Sequence, residues 1–153
     1  MKGNPEIIAA LNARLGEELT GITQYEANRA LLAVQEYLKL TAYLDERLAD
    51  ERRHYNLLSE RIRFLDGIVA PSLNAVTIAE DIRQIHINDL ALELDAIQKY
   101  NADIQLCLQV GDSGTRGIIE SILQDEEDHA RDLEAQLSQI GQMTVENYLS
   151  AKI

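Results

Sequence analysis

Two Glu-x-x-His pairs carry the clearest chemical signal in the sequence, because residues three apart lie on one face of a helix. The pairs are Glu51 with His54 and Glu126 with His129. Carboxylate oxygen combined with one imidazole nitrogen per metal suits iron or manganese better than copper or structural zinc. The pairs therefore predict that two segments of the chain contribute ligands to a metal site.

A polar pattern in the first half of the chain repeats 75 residues later. The repeat relates these residues: Glu18 to Glu93, Tyr25 to Tyr100, Asp50 to Asp125, Glu51 to Glu126, and His54 to His129. Within each half, the midpoint between the two glutamates falls close to a predicted turn. Two residues that are equally far from the turn of an antiparallel hairpin lie side by side. The four glutamates and two histidines are therefore predicted to meet at one level of the bundle.

The elements that must hold these residues are long amphipathic helices, indicated by apolar residues spaced three and four apart. Four long helices and a short fifth are predicted, at about 5–35, 38–66, 80–110, 115–140 and 144–151. Pro5 is expected to begin the first helix, Gly67 to end the second, and Gly141 to end the fourth. The stretch 68–78 lacks a helical period and can cross between the ends of a bundle. The pattern predicts an all-α fold, a four-helix bundle with a crossover, in one domain of residues 1–153.

Composition limits the classes of function. The chain has 153 residues, of which 46% are hydrophobic and 26% are charged, as in a folded globular domain. The formal net charge of -12 argues against nucleic-acid and anionic-membrane partners. A single cysteine excludes a disulfide framework, and the absence of a long apolar run or a signal peptide predicts a cytoplasmic protein without a membrane span.

Each of the four glutamates stands at a position where its helix is otherwise apolar. A glutamate on a long helix ordinarily faces solvent, so carboxylates at buried positions need a counter-charge. No lysine or arginine is expected at that level, whereas two divalent cations would balance four carboxylates with both histidines neutral. Such a donor set is the one found in di-iron and di-manganese carboxylate bundles, and its open coordination positions favour redox chemistry with oxygen or peroxide.

Other polar residues near the predicted site have two possible roles each. Asp50 and Asp125 are candidates for orienting an imidazole, or they are solvated surface residues. Tyr25 and Tyr100 could hydrogen-bond a ligand or donate an electron, but for Tyr100 a plain core position is the favoured interpretation. The third histidine, His86, is interpreted as a partly buried or interface residue.

The chain resembles the bacterioferritins of the ferritin-like superfamily over essentially its whole length. The resemblance is carried by Met1-Lys2-Gly3, by Leu19 to Tyr25 after Glu18, by the string Asp89-Leu90-Ala91-Leu92-Glu93-Leu94-Asp95, by Asp125-Glu126-Glu127 with His129, and by Asn147-Tyr148-Leu149. It implies a homo-oligomeric cage of 24 subunits that oxidises Fe(II) with O2 or H2O2 at a centre of two irons per subunit and stores the mineral. The ligands implied are Glu18, Glu51, His54, Glu93, Glu126 and His129, with Glu51 and Glu126 bridging the irons and each histidine binding one.

One departure from the family pattern concerns haem b. Bacterioferritins bind haem between two subunits through a methionine, and the matching position here is Arg52. Glu26 and Asp45 stand where the family usually has aromatic residues, and the only methionines are Met1 and Met143. The sequence therefore argues against haem between identical copies. A mixed cage with a haem-binding sister subunit is the alternative that it suggests.

Two further departures affect iron and electron transfer. Glu46 and Asp50 match an inner-surface iron site that typically uses a histidine and an aspartate, which suggests a modified site. Leu58 and Asp132 replace aromatic residues near the family's iron centre, which leaves Tyr25 as the expected electron donor. A ferredoxin-type reductant is the expected partner for iron release.

Competing interpretations involve other helical proteins. A ferritin-like di-iron or di-manganese oxidase or peroxidase that forms no cage would use a similar site. A rubrerythrin with its Cys-x-x-Cys iron domain is excluded because the chain has one cysteine. A non-enzymatic helical interaction module would have no use for the six polar positions.

Overall fold

The computed structural model describes residues 1–153 and contains five helices and no strand. The helices are α1 (Pro5–Val34), α2 (Leu38–Phe64), α3 (Ile82–Val110), α4 (Ser113–Met143) and α5 (Val145–Ser150). The predicted all-α architecture is confirmed. None of the helices has the length and apolar character needed to cross a membrane.

Side-chain caps explain where the helices begin. The Asn4 side chain accepts a hydrogen bond from the backbone of Glu6, and Pro5 occupies the first turn of α1, where a missing N–H costs nothing. Asp81 caps α3 in the same way, by accepting from two backbone N–H groups. These caps satisfy N–H donors that a helix terminus would otherwise leave without partners.

The predicted bounds of α4 were wrong at both ends. Asp112 accepts from the backbone of Thr115, so the helix begins at Ser113 rather than at 115. At the other end, the helix continues through Gly141, which has open space around it, and ends only where Thr144 adopts a positive φ of 67°. A glycine near a helix end favours termination but does not impose it.

The four long helices pack as two hairpins, α1 with α2 and α3 with α4. The hairpins meet along α1 against α3 and along α2 against α4. Each long helix therefore presents one face to the interior, where the predicted ligands lie. The short α5 packs against the end of α4.

The crossover between the hairpins is tied to one face of α1. Asn12, Thr20 and Gln24 hydrogen-bond its backbone at Ile68, Ala70, Asn74 and Thr77. Gly16 lies between them, and a Cβ there would lie 2.3 Å from the carbonyl oxygen of Ser72. The spacing of four residues places all of these α1 positions on one face, so the crossover runs along the bundle in an extended path.

Two apolar clusters fill the bundle on either side of a polar level. One contains Ile7, Leu11, Leu15, Leu58, Ile62, Leu65, Tyr100, Cys107, Ile119 and Ile122. The other contains Tyr25, Leu32, Leu40, Leu44, Leu48, Ile82, Ile85, Ile140 and Tyr148. The polar level is therefore held between packed apolar layers above and below, which fix its side chains.

His86 is not partly buried, contrary to one of the two sequence interpretations. It is fully buried, and its Nε2 lies 2.9 Å from the hydroxyl of Tyr148 on α5. That hydroxyl donates in turn to Gln136 at 2.6 Å. Burial, together with the charge of Lys152, lowers the pKa of His86 to about 4, so the imidazole is neutral at pH 7. This residue fastens α5 to the bundle and is not part of the polar level.

Candidate metal centre

The structure brings all six predicted ligand residues together in the middle of the bundle. Their donor atoms form two sets, and within each set all atoms lie within 4.8 Å of one another. One set is Glu18, Glu51, His54 and Glu126; the other is Glu51, Glu93, Glu126 and His129. Glu51 and Glu126 belong to both sets, so their carboxylates lie between two adjacent cation positions.

All six side chains are removed from solvent, with none more than 5% exposed. The packing around them is close: a Cβ at Gly21 would lie only 3.1 Å from Oε2 of Glu51. A larger residue at position 21 would therefore displace the shared carboxylate. Four carboxylates at this depth require compensating positive charge.

Both histidines direct the same ring nitrogen toward the carboxylates. Nδ1 of His54 lies 3.1 Å from Glu126 and 3.5 Å from Glu18. Nδ1 of His129 lies 3.2 Å from the other oxygen of Glu126 and 3.5 Å from Glu51. The Nδ1 atoms are therefore the nitrogen donors of the two sets, and one glutamate faces both.

The outer nitrogens of the two imidazoles face aspartates, in a crossed arrangement. Nε2 of His54 lies 3.2 Å from Asp125, and Nε2 of His129 lies 3.4 Å from Asp50. Each aspartate thus serves the histidine of the opposite half of the chain, not the one four residues away in sequence. Arg53 lies between them, 2.7 Å from Asp125 and 3.3 Å from Asp50, and ties the two together. Such carboxylates fix the tautomer and orientation of a ligating imidazole.

The sequence predicts neutral histidines in the metal-bound centre, and in the metal-free centre the pKa of both imidazoles is raised. Burial opposes the charge on His54, but hydrogen bonds to Glu126 and Glu18 outweigh it and raise the pKa to about 11. Burial likewise opposes the charge on His129, and hydrogen bonds to three glutamates raise its pKa to about 12. Without metal, the two histidines are therefore cations at pH 7 and partly neutralise the carboxylates.

The surroundings shift the pKa values of the glutamates in opposite directions. Burial and the charges of neighbouring glutamates raise the pKa of Glu51 well above its usual value, and burial beside Glu93 raises that of Glu126 to about 7. Burial also acts on Glu93, but hydrogen bonds led by His129 lower its pKa. The two shared carboxylates are thus harder to ionise than in water, and a cation between them would favour their charged form.

Two buried tyrosines hold the carboxylates that belong to only one set each. The Tyr25 hydroxyl donates to Oε1 of Glu93, and the Tyr100 hydroxyl donates to Oε1 of Glu18. Each tyrosine therefore contacts a glutamate of the opposite half of the chain, as each aspartate contacts a histidine of the opposite half. Tyr100 is buried, as a core tyrosine would be, but the favoured interpretation missed its contact with the site. The 75-residue repeat, which makes it the counterpart of Tyr25, was the available signal.

Asp89 is a buried carboxylate that sequence reasoning missed. It lies one turn before Glu93, is fully buried, and accepts hydrogen bonds from Gln24 at 2.8 Å and from Asn28 at 3.0 and 3.2 Å. Gln24 in turn accepts from the backbone of Thr77 in the crossover at 3.0 Å. Burial raises the pKa of Asp89 to about 7. The network joins α1, α3 and the crossover beside the metal centre.

Replacing Asp89 is expected to destabilise the whole chain. Asp89→Ala leaves the buried amides of Gln24 and Asn28 without their acceptor, which should cost about 2–4 kcal/mol of the free energy of unfolding. Urea denaturation of the metal-free protein measures this loss. Asp128→Ala, at an exposed ion pair, is the matched control and should change stability by less than about 0.5 kcal/mol. Equal effects of the two substitutions would contradict the role given to the network.

A cavity of about 160 Å³ lies between the centre and the side of the bundle formed by α1, α3 and the crossover. Its inner lining includes Glu18, Glu51, Glu93 and Glu126. Its outer lining includes Glu17 and the half-exposed Asp95, which Lys99 bridges at 2.7 and 2.5 Å. The cavity therefore joins acidic residues near the surface to the buried carboxylates.

One of the two residues of the predicted inner-surface site has other contacts. Glu46 is exposed, whereas Asp50 is partly buried and is shared between His129 and Arg53. Iron binding by Glu46 and Asp50 stays a prediction, and it would have to compete with these contacts.

The residues at the predicted haem position form ion pairs on the surface. Arg52 contacts Glu26, and Arg29 contacts Asp45, across α1 and α2. A guanidinium has no lone pair to offer an iron, and the chain has no methionine in this region. The residues at this position do not fit haem.

Comparisons with known proteins agree with the geometry. A ferritin-like domain model matches residues 8–143. A bacterioferritin of Streptomyces coelicolor is 34% identical over 100% of this chain and 92% of its own length, and one of Rhodobacter capsulatus is 36% identical over 90% and 86%. The solved structure of Mycobacterium tuberculosis bacterioferritin BfrA superposes with a TM-score of 0.97 at 29% identity, covering 100% of this chain and 97% of that one.

Proposed function

Because the chain belongs to the bacterioferritins of the ferritin-like family, we propose that it stores iron and oxidises Fe(II) to Fe(III) at the six-residue centre. The observation that carries the proposal is the pair of overlapping donor sets that share Glu51 and Glu126. Two sets with two common carboxylates fit two adjacent ions, whereas a single structural ion would need only one set. Two Fe(II) ions would balance the charge of four carboxylates, with both histidines deprotonated at Nδ1.

The chain's residues have distinct tasks in this reaction. Glu51 and Glu126 hold both ions, His54 and Glu18 hold one, and His129 and Glu93 hold the other. Iron is the substrate and O2 or H2O2 the oxidant. With O2, two Fe(II) supply two electrons, and two protons complete H2O2. Where H2O2 meets a single Fe(II), Tyr25, hydrogen-bonded to Glu93, is the proposed donor of the second electron and of one of the two protons that complete two waters.

The residues around the six ligands orient the two imidazoles and line the path to the centre. Asp125 and Asp50 keep a proton on Nε2 of each imidazole, which leaves Nδ1 as the metal-binding atom. Arg53 holds both aspartates, so the two imidazoles are oriented by one connected group. The cavity that begins at Glu17 and Asp95 provides the path for Fe(II).

The proposal includes assembly into a cage of 24 subunits. An isolated chain leaves large apolar side chains exposed, among them Val34 at 85% and Ile68 at 74%, which favours their burial between subunits. With a net charge of -12 per chain, such a cage would be strongly acidic and would attract cations. A haem-binding sister subunit, a ferredoxin-type reductant and a cytoplasmic location stay predictions.

Rapid mixing of the metal-free protein with Fe(II) in aerobic buffer tests the ferroxidase function. We expect a fast absorbance rise whose amplitude saturates at two Fe(II) per chain, followed by slower mineral growth. Prior loading with two Zn(II) per chain should abolish the fast phase, because Zn(II) takes the same donors and has no redox chemistry. Size-exclusion chromatography with light scattering of the same sample measures whether the 24-subunit cage forms.

Two outcomes would contradict this function. A rate no faster than the protein-free control would exclude a ferroxidase in this chain alone. Protein isolated with manganese that decomposes H2O2 without oxidising Fe(II) would favour the di-manganese alternative. A fast phase in a protein that remains monomeric would retain the oxidase and reject the cage.

A further inference from the structure

The two tyrosines of the centre are structurally equivalent. Tyr25 lies on α1 and donates to Glu93 of α3, whereas Tyr100 lies on α3 and donates to Glu18 of α1. Both are 1% exposed, and each contacts the carboxylate that belongs to one donor set only. One phenol therefore adjoins each of the two cation positions.

No other tyrosine of the chain has this relation to the centre. Tyr55, one residue after His54, is half-buried and packs against the apolar cluster instead. Tyr148 lies in the other cluster and contacts His86 and Gln136. The pair at positions 25 and 100 is thus distinguished by hydrogen bonds to two of the four glutamates.

A phenol hydrogen-bonded to a carboxylate is suited to lose an electron and a proton together. The proton moves along the existing hydrogen bond, from Tyr100 to Oε1 of Glu18 or from Tyr25 to Oε1 of Glu93, so no charged phenol is formed in the buried site. Creating such a charge without compensation would be costly at this depth. The geometry thus gives both tyrosines the same route for coupled loss of a proton and an electron.

Electron counting shows what a second tyrosine would add. Complete reduction of O2 to two waters takes four electrons and four protons, and two Fe(II) supply only two electrons. One tyrosine raises the supply to three, and two tyrosines raise it to four.

We propose that Tyr100 is a second one-electron donor, so that two Fe(II) and two tyrosines reduce one O2 to water. This inference rests on the ferroxidase function proposed above. One O2, two Fe(II), two tyrosines and two protons from solvent give two Fe(III), two tyrosyl radicals and two waters. The two phenolic protons supply the remaining hydrogens of the waters. Each radical is returned to tyrosine by a further Fe(II) and one proton, so the substrate itself restores the site.

Freeze-quench electron paramagnetic resonance, paired with an assay of released H2O2, tests the proposal. The wild type, Tyr25→Phe, Tyr100→Phe, the double variant and Tyr55→Phe as control are each mixed with two Fe(II) per chain and O2. Titration with Co(II), followed by its visible absorption, first establishes that each variant still binds two ions. These two readouts report on the tyrosines themselves and not only on the rate of iron oxidation.

The expected yields of tyrosyl radical and of H2O2 distinguish Tyr25 from Tyr100. The wild type and Tyr55→Phe should show tyrosyl radical and release almost no H2O2. Tyr25→Phe should still give a radical, assigned to Tyr100, and the double variant should give none. Released H2O2 should rise in each single variant and approach one per two Fe(II) in the double variant.

The failure of this inference differs from the failure of the ferroxidase function. If the wild type oxidises two Fe(II) rapidly while Tyr100→Phe matches it in radical yield and H2O2, Tyr100 is not a donor and the ferroxidase function stands. Absence of a radical in Tyr25→Phe, with two ions bound and Fe(II) oxidised, also overturns the inference. A wild type that does not oxidise Fe(II) overturns both.

Discussion

Loading the metal-free chain with two Zn(II) at pH 7 is expected to release at least two protons, one from each histidine of the centre. The hydrogen bonds to buried glutamates raise the pKa of His54 to about 11 and that of His129 to about 12, so both imidazoles are charged before metal binds. Metal binding needs the neutral form of each ring at Nδ1. The pKa of Glu126, which burial and the charge of Glu93 raise to about 7, adds a further fraction of a proton to the release.

Protons and metal ions compete for the same histidine and glutamate atoms, and this competition sets the sign of the pH dependence of metal binding. Below the raised pKa values, protons hold the positions that metal needs, so falling pH weakens binding. Release of two protons changes the overall binding constant by about 100-fold per pH unit, which corresponds to about 2.7 kcal/mol. The same shifts stabilise the metal-free fold: this contribution is fully present below about pH 6.5 and is lost as pH rises toward 11 to 12.

Calorimetric titration in buffers of different ionisation enthalpy counts the released protons. Zn(II) is the probe because it is not oxidised, and His129→Gln is the comparison, since it removes one of the two charged rings. The variant should release about one proton fewer at the sites it retains. Proton release near zero in the wild type would show that the histidines are already neutral without metal.

The sequence predicted that the six candidate ligands lie together, because the helical spacing and the 75-residue repeat select the same residues. Spacing of three residues places Glu51 with His54, and Glu126 with His129, on one helix face. Hairpin geometry then brings Glu18 level with Glu51. The 75-residue repeat supplies the second half by equivalence. Helical period and chain connectivity are sufficient for such contacts, because they depend on backbone geometry more than on side-chain packing.

Spacing and repeats in the sequence could not predict which glutamate each tyrosine contacts, or which histidine each aspartate contacts. The repeat shows that Tyr25 is equivalent to Tyr100, and Asp50 to Asp125, but not which carboxylate or histidine each one contacts. That choice depends on how the two hairpins are rotated against each other, which the packing of both apolar clusters decides. Pairs such as Tyr100 with Glu18, 82 residues apart, emerge only from the assembled bundle.

Asp89 shows how an apolar period can mislead. The spacing of apolar residues in α3 predicts that Leu90 faces the core, yet Leu90 is half-buried and Asp89 is fully buried. The α3 helix has to face both α1 and α4, so its buried face is wider than one stripe. The amides that compensate the carboxylate, Gln24 and Asn28, lie on another helix, and no local pattern connects them to position 89.

Loss of the carboxylate shared by both donor sets should have the largest effect on the reaction. Glu126 faces both histidines, at 3.1 Å from His54 and 3.2 Å from His129, and it belongs to both sets. Removing a group that merely orients a metal ligand costs about 10- to 100-fold, so replacing a carboxylate common to two ions should cost more than about 100-fold in the fast phase. Glu126→Gln keeps the shape of the side chain but removes its charge.

Glu127→Gln is the matched control, because it makes the same substitution at the adjacent, exposed position. Stopped-flow mixing with two Fe(II) per chain should show a fast phase in the control equal to that of the wild type and none in Glu126→Gln. Circular dichroism and urea denaturation establish that both variants are folded, and Co(II) titration should show fewer than two ions bound by Glu126→Gln. A folded Glu126→Gln protein that oxidises two Fe(II) at the wild-type rate would show that this carboxylate is not a common ligand, and the assignment of Glu51 and Glu126 as bridging residues would fall with it.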